Sequence, residues 1–134
     1  MKLFEKSIVI LSFLFITISC SEERPIEKSI TSFYTAFFQA DFDTAKKYCT
    51  QESTTHIDSY RTLFSKPLID KVRKSTIDVI VQDITLNATQ DTATVQCLFN
   101  GYWNLYKQKI ENNLKAHVKV IKQEGSWKVV YPYN

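Results

Sequence analysis

The sequence predicts an α+β fold in which helices come first and antiparallel strands follow. Up to about residue 76 the apolar side chains recur at helical spacing, and from residue 77 onward they alternate with polar ones at strand spacing. Runs of helices followed by runs of strands are typical of one sheet packed against helices. We therefore expect N-terminal helices packed on a four-stranded antiparallel sheet.

Three helices are predicted in the first half of the chain. The apolar stripe of the first consists of Ile26, Ile30, Phe33, Tyr34, Phe37 and Phe38. Asp41 is a good N-cap for a short second helix over residues 42–49, and Thr50 can cap a third. The aligned residues of the third helix are Ser53, Ile57, Tyr60 and Phe64. Pro67 marks its end, and a further turn is expected over residues 68–72.

Four strands are predicted in the second half. Residues 77–86 are rich in β-branched side chains and lead into the turn-like segment 87–91. The alternating apolar positions of the next strand are Ala93, Val95, Cys97 and Phe99. Gly101 indicates a bulge or bend within that run. The last two strands are indicated by Ala116, Val118 and Val120 and by Trp127, Val129 and Tyr131.

The first twenty residues resemble a bacterial lipoprotein signal. Lys2 and Lys6 precede an apolar run over residues 8–19, and Cys20 follows at once. This run is shorter than the roughly 20 residues that cross a bilayer, so residues 1–19 are expected to be removed. Cys20 would then become the lipid-bearing first residue. Its two or more acyl chains would anchor the protein stably in a membrane. An ordinary secretory signal cut near Cys20 is the alternative.

This assignment divides the chain into a signal peptide (1–19), a short tether (20–25) and a single domain (26–134). A domain of that length is large enough to bury its own core. The expected location is the bacterial cell envelope, with the lipid in the outer membrane and the domain facing the periplasm or the cell surface. Residues 21–23 resemble the acidic export signal of surface lipoproteins, and they equally suit the start of a linker.

Composition argues against nucleic acid, metal and cofactor binding. The net charge is only +3 and the basic residues are scattered along the chain, so the sequence shows no basic patch that could bind the phosphates of a nucleic acid. No cysteine or histidine has the spacing of a metal site, and no cofactor is expected. Cys49 and Cys97 remain once Cys20 carries lipid. They can form a disulfide in an oxidising compartment, or be buried as small apolar side chains.

Three segments, 32–50, 91–95 and 124–129, resemble small lipoproteins with a nuclear transport factor 2-like domain. The first has the aromatic helix, acidic turn and second helix of that group, and the other two match its strand starts. The likeness covers most of residues 26–131. It implies a cone in which a curved antiparallel sheet wraps around the long first helix and often encloses a pocket. Many members of this group have no assigned function.

Three classes of function fit these observations. The leading hypothesis is a lipid-anchored, non-enzymatic protein that binds a small apolar ligand or an envelope protein through its pocket or sheet face. The resemblance also allows a pocket enzyme, an isomerase or hydrolase using His56, because enzymatic relatives place an Asp/His pair in the pocket. His117 alternates with apolar residues and is expected to face water. The third class is a structural component that associates with itself, for example as a homodimer.

Aromatic side chains are the candidates for a pocket or a partner surface, since they offer a large apolar area at a small entropy cost. The candidates are Tyr34, Tyr60, Tyr102, Trp103 and Tyr106. Trp127 is expected in the core because it opens an alternating strand. For the three aromatic residues after Gly101, a core position and an exposed patch are both open.

Overall fold

A computed structural model describes residues 22–132 of the chain. The predicted signal peptide (1–19), the lipidation site Cys20 and the last two residues lie outside the described residues. Between residues 22 and 132, no helix is long and apolar enough to cross a membrane.

Four helices form the first half of the described chain. The described part of helix α1, residues 22–38, buries Ile26, Ile30, Phe33, Tyr34 and Phe37 of the predicted stripe and half-buries its last member, Phe38. Helices α2 (Phe42–Lys46) and α3 (Gln51–Arg61) begin after the predicted caps Asp41 and Thr50, whose side chains accept hydrogen bonds from backbone N–H groups. Helix α4 follows over Lys66–Arg73. Both predicted caps are therefore confirmed.

Part of the predicted tether is helical. Residues 22–25 belong to the described part of α1, so Pro25 lies within this helix.

Two later boundaries also differ from the prediction. Helix α2 ends at Lys46, because the following residues pair with the last strand: Val129 N–H donates to the Tyr48 carbonyl at 2.8 Å, and Thr50 N–H donates to the Val129 carbonyl at 3.0 Å. The segment after α3 forms a full helix, because Ser65 caps it and Pro67 falls in its first turn.

The sheet has the order β1-β2-β5-β6 and is antiparallel throughout. Its strands are β1 (Asp78–Leu86), β2 (Thr92–Asn100), β5 (Leu114–Gln123) and β6 (Ser126–Val130), and a separate hairpin consists of β3 (Tyr102–Asn104) and β4 (Lys109–Glu111). This hairpin was not predicted. Gly101, which has φ +79°, stands at the junction of β2 and β3, where the sequence indicated a bend.

One face of the curved sheet packs against the helices. Its buried side chains are Ala93, Val95, Cys97, Phe99, Val118, Val120, Trp127 and Val129, as the alternation predicted. Aromatic rings from α1 meet them: the ring centroids of Tyr34 and Phe99 are 4.6 Å apart, and those of Phe33 and Tyr34 are 4.8 Å apart. These contacts pack the rings of α1 directly against the sheet.

Candidate functional site

The structure separates the five candidate aromatic residues. Tyr34 is buried in the core, and burial raises its pKa. Tyr60 is half-buried on α3, where its ring stacks on Phe37 with centroids 4.7 Å apart. These two rings fill the interior instead of lining a cavity there. The other three candidates lie together outside the main sheet, on the β3–β4 hairpin.

The three hairpin aromatics differ in exposure. Tyr102 is half-buried and its ring lies 5.6 Å from that of Phe38 at the end of α1. Trp103 is half-buried too, and Lys71 Nζ lies 4.5 Å from its ring centroid, a cation–π contact. Tyr106, in the turn, is 98% exposed. Of the three, only Tyr106 is exposed, whereas Tyr102 and Trp103 are half-buried.

Glu111 holds the hairpin together. Its Oε2 accepts hydrogen bonds from the hydroxyl of Tyr102 and the Nδ2 of Asn104, both at 3.1 Å, and its Oε1 lies 3.1 Å from Lys107 Nζ. These donors, Lys107 first, hold the pKa of Glu111 below its usual range. Burial and the bond to Glu111 raise the pKa of Tyr102. At neutral pH the hairpin is thus fixed by its own polar side chains.

Four exposed apolar side chains lie at the end of the sheet beside this hairpin. Tyr106 and Ile110 (49% exposed) belong to the hairpin itself. Leu114 (37%) opens β5 on the same sheet face as Phe99, whereas Ile80 (37%) pairs with Leu98 on the opposite face. We call this region, residues 102–114 with Ile80, the hairpin end.

The hairpin end also contains an unpaired donor. Among residues 22–132, the buried indole Nε1 of Trp103 has no hydrogen-bond partner. A buried polar group without a partner costs about 1–3 kcal/mol. Because this donor is buried, the hairpin end offers another molecule its exposed apolar side chains and not the indole N–H.

The opposite end of the sheet is tied to the start of α1. Glu22 Oε2 accepts a hydrogen bond from Trp127 Nε1 at 2.9 Å, and Oε1 lies 3.2 Å from Lys122 Nζ. The bond from Trp127, followed by that from Lys122, lowers the pKa of Glu22. The backbone N–H of Lys122 also donates to the Asp91 carbonyl at 2.8 Å. We call Glu22, Lys122, Trp127 and the turns 87–91 and 123–126 the latched end.

No sequence pattern indicated the latch, the contacts of Glu22 with Trp127 and Lys122. Trp127 is buried at 4% exposure, as predicted for a core residue. Its partner Glu22 stands 105 positions earlier in the chain, in the predicted tether. No local pattern reports a contact over that distance.

The residues needed for acid–base catalysis do not converge. His56 is exposed on α3, and no carboxylate among residues 22–132 is hydrogen-bonded to it. His117 is exposed opposite Gln96 on the outer face of the sheet, as predicted, and Asp78 and Asp83 are exposed on β1. Within the described residues, no three His, Cys, Asp or Glu side chains are grouped to hold a metal ion.

Cys49 and Cys97 are both free and buried. Cys49 lies beside β6 through its bridge to Val129, whereas Cys97 is on β2, with β5 between the two strands. Three strand spacings of about 4.8 Å lead from Cys49 across the sheet to Ala93, about 14 Å away, and Cys97 lies four residues further along β2. This separation is beyond the roughly 7 Å that a disulfide spans between Cα atoms. The two cysteines therefore fill the core as small apolar side chains.

An open groove of about 620 Å³ lies on the surface, next to the latched end. Its lining consists of Lys46, Cys49, Gln51, Thr54, Gln123, Glu124 and Lys128. Burial raises the pKa of the Cys49 thiol, so this sulfur is not a ready nucleophile. The groove offers polar contacts but no group prepared for catalysis.

Comparison with known proteins supports the architecture. No family model and no curated protein matches the chain. A solved structure from Campylobacter jejuni, an NTF2-like transpeptidase, superposes with a TM-score of 0.50 and 17% sequence identity, covering 78% of this chain and 95% of that one. A likeness at this level of identity shows the fold alone. Together with the helices packed on a curved antiparallel sheet, it shows that the chain has the nuclear transport factor 2-like fold.

Proposed function

We propose that the protein is a lipid-anchored, non-enzymatic protein of the bacterial envelope that binds a protein partner through its hairpin end. The observation that carries the binding role is the pair of exposed apolar side chains on the hairpin, Tyr106 at 98% exposure and Ile110 at 49%. Exposed apolar groups that gather at one site mark interaction surfaces. The anchoring role is supported by the signal-like order at the start of the chain, in which Lys2 and Lys6 precede a short apolar run and Cys20 follows it.

A protein partner is favoured over a small apolar ligand. A small ligand needs a concave, mostly apolar cavity. The interior contains packed aromatic rings instead, for example Phe37 between Tyr60 at 4.7 Å and Tyr131 at 4.8 Å. The exposed hairpin offers a protruding surface, which suits a protein. The enzyme hypothesis lacks the acid–base pair that His56 would need.

The anchoring role is tested by a Cys20→Ala variant expressed in its native cells. We expect loss of fatty-acid labelling and release of the protein from the membrane fraction, because the lipid supplies the membrane affinity. The matched control is Cys49→Ala, which removes a cysteine outside the signal and should leave the labelling unchanged. If membrane association survives Cys20→Ala unaltered, the protein is not anchored in this way.

The binding role is tested by placing a photo-crosslinking amino acid at position 106 in intact cells. The control is the same amino acid at position 56, which is also exposed but lies on α3. We expect a discrete protein adduct from position 106 and none from position 56. An adduct containing a second copy of this chain would instead support the homodimer hypothesis. Equal labelling at both positions, or none at position 106, would contradict the proposal.

A further inference from the structure

We propose that Glu22 fixes the orientation of the domain on the membrane, with the latched end against the lipid headgroups and the hairpin end facing away. The inference rests on the proposed lipidation of Cys20. Its basis is the position of the latch, which lies two residues from the attachment point of the lipid and holds the first described turn of α1 to the sheet.

The distance between the lipid and the latch is limited by covalent geometry. Two residues span at most about 7 Å, whatever their conformation. A lipid attached to Cys20 would therefore be joined to Glu22 by at most this length of chain. A linker of this length cannot let the domain move far from the bilayer surface or turn over freely.

The start of α1 cannot swing away from the sheet without losing several contacts. The Glu22 carboxylate contacts both the indole N–H of Trp127 and the ammonium of Lys122, and its side chain is only 21% exposed. Ile26 and Ile30, one and two turns later, are fully buried at 0% exposure. Because these contacts fix α1 to the sheet, the point at which the lipid is attached is fixed relative to the whole domain.

The latched end is polar and does not suit insertion into the hydrocarbon. Its turns 87–91 and 123–126 consist of polar, charged and glycine residues with one Ala and no large apolar side chain. The five exposed large hydrophobic residues of the described chain all lie elsewhere. The lipid supplies the membrane affinity, so the surface next to it needs no apolar side chains.

Strand β5 sets the distance between the two ends. It runs for ten residues, from Leu114 at the hairpin end to Gln123 at the latched end. At about 3.3 Å per residue the strand is about 30 Å long. The hairpin end is thus held roughly one strand length from the headgroups, where a partner in the aqueous compartment can reach Tyr106.

The orientation can be measured with the full-length lipidated protein reconstituted in phosphatidylethanolamine/phosphatidylglycerol vesicles that carry an energy acceptor on the headgroup. Donor fluorophores are attached to Gln123→Cys or to Tyr106→Cys, both at exposed positions, while Cys49 and Cys97 are buried. We expect stronger energy transfer from position 123 than from position 106. The same pair is then measured with Glu22→Ala, and with Glu23→Ala as a control, because Glu23 is the exposed neighbour on the same helix.

Each outcome decides one step of the inference. Glu22→Ala should reduce the difference between the two positions, because α1 then keeps only its buried apolar contacts, whereas Glu23→Ala should preserve it. Equal transfer in the unmodified background would overturn the fixed orientation while leaving lipidation intact. A difference that Glu22→Ala leaves unchanged would overturn the role of Glu22. If the protein does not bind the vesicles at all, the lipidation of Cys20 is refuted, and the inference falls with it.

Discussion

Replacing Phe99 by Ala tests whether the interior is a packed core or a ligand cavity. Phe99 is 1% exposed on β2, and its ring centroid lies 4.6 Å from that of Tyr34 and 5.1 Å from that of Phe38. A buried aromatic ring removes about 150–250 Å² from water, which corresponds to about 4–6 kcal/mol at about 25 cal/mol per Å². Since Ala retains part of that area, we expect a loss of about 3–5 kcal/mol in the free energy of unfolding.

The measurement is urea unfolding followed by the fluorescence of Trp103 and Trp127, which lie at opposite ends of the sheet. A loss of that size is a large part of the 5–15 kcal/mol typical of a single domain. The control is Tyr106→Ala, which removes a fully exposed ring and should change stability by no more than about 0.5 kcal/mol. A loss below about 1 kcal/mol for Phe99→Ala would mean that the ring faces open space, and the interior pocket hypothesis would return.

Three further predictions concern single positions. Gly101→Ala should destabilise the protein by several kcal/mol more than Gly125→Ala, as measured by thermal unfolding. Both glycines have φ +79°, but only at Gly101 would the new Cβ meet a backbone oxygen, that of Thr76. Ser53→Ala should cost about 1–3 kcal/mol in urea unfolding, because its buried hydroxyl accepts the backbone N–H of Tyr131 at 2.8 Å. Burial raises the pKa of Cys97 to about 12, so iodoacetamide should modify it only after denaturation. Equal losses at Gly101 and Gly125 would contradict the first prediction. An unchanged stability of S53A would contradict the second, and rapid alkylation of Cys97 in the native protein would contradict the third.

The parts of the fold that sequence predicted correctly depend on local periodicity. The stripe from Ile26 to Phe37 and the alternation from Ala93 to Phe99 are buried as their spacing indicated. The helix caps Asp41 and Thr50 were also readable, because a cap bonds to a backbone N–H only three residues away. These features need no knowledge of the rest of the chain.

The parts that sequence missed depend on contacts between distant residues. The latch joins Glu22 to Trp127, and α2 ends early because Tyr48 pairs with Val129 in the last strand. The sequence could not decide whether Cys49 and Cys97 were close enough to form a disulfide, since their separation follows from the strand order. The aromatic residues of the candidate site were all named, but their distribution between core and hairpin end depends on the turn at Gly101.

The central claim is that Cys20 attaches this domain to a membrane. Intact mass spectrometry of the protein extracted from the membranes of its native cells tests it most directly. We predict a chain that begins at Cys20 and carries a diacylglycerol on that residue, with or without a further N-acyl group. A mature chain that begins elsewhere and carries no lipid, or one that retains residues 1–19, would contradict the claim.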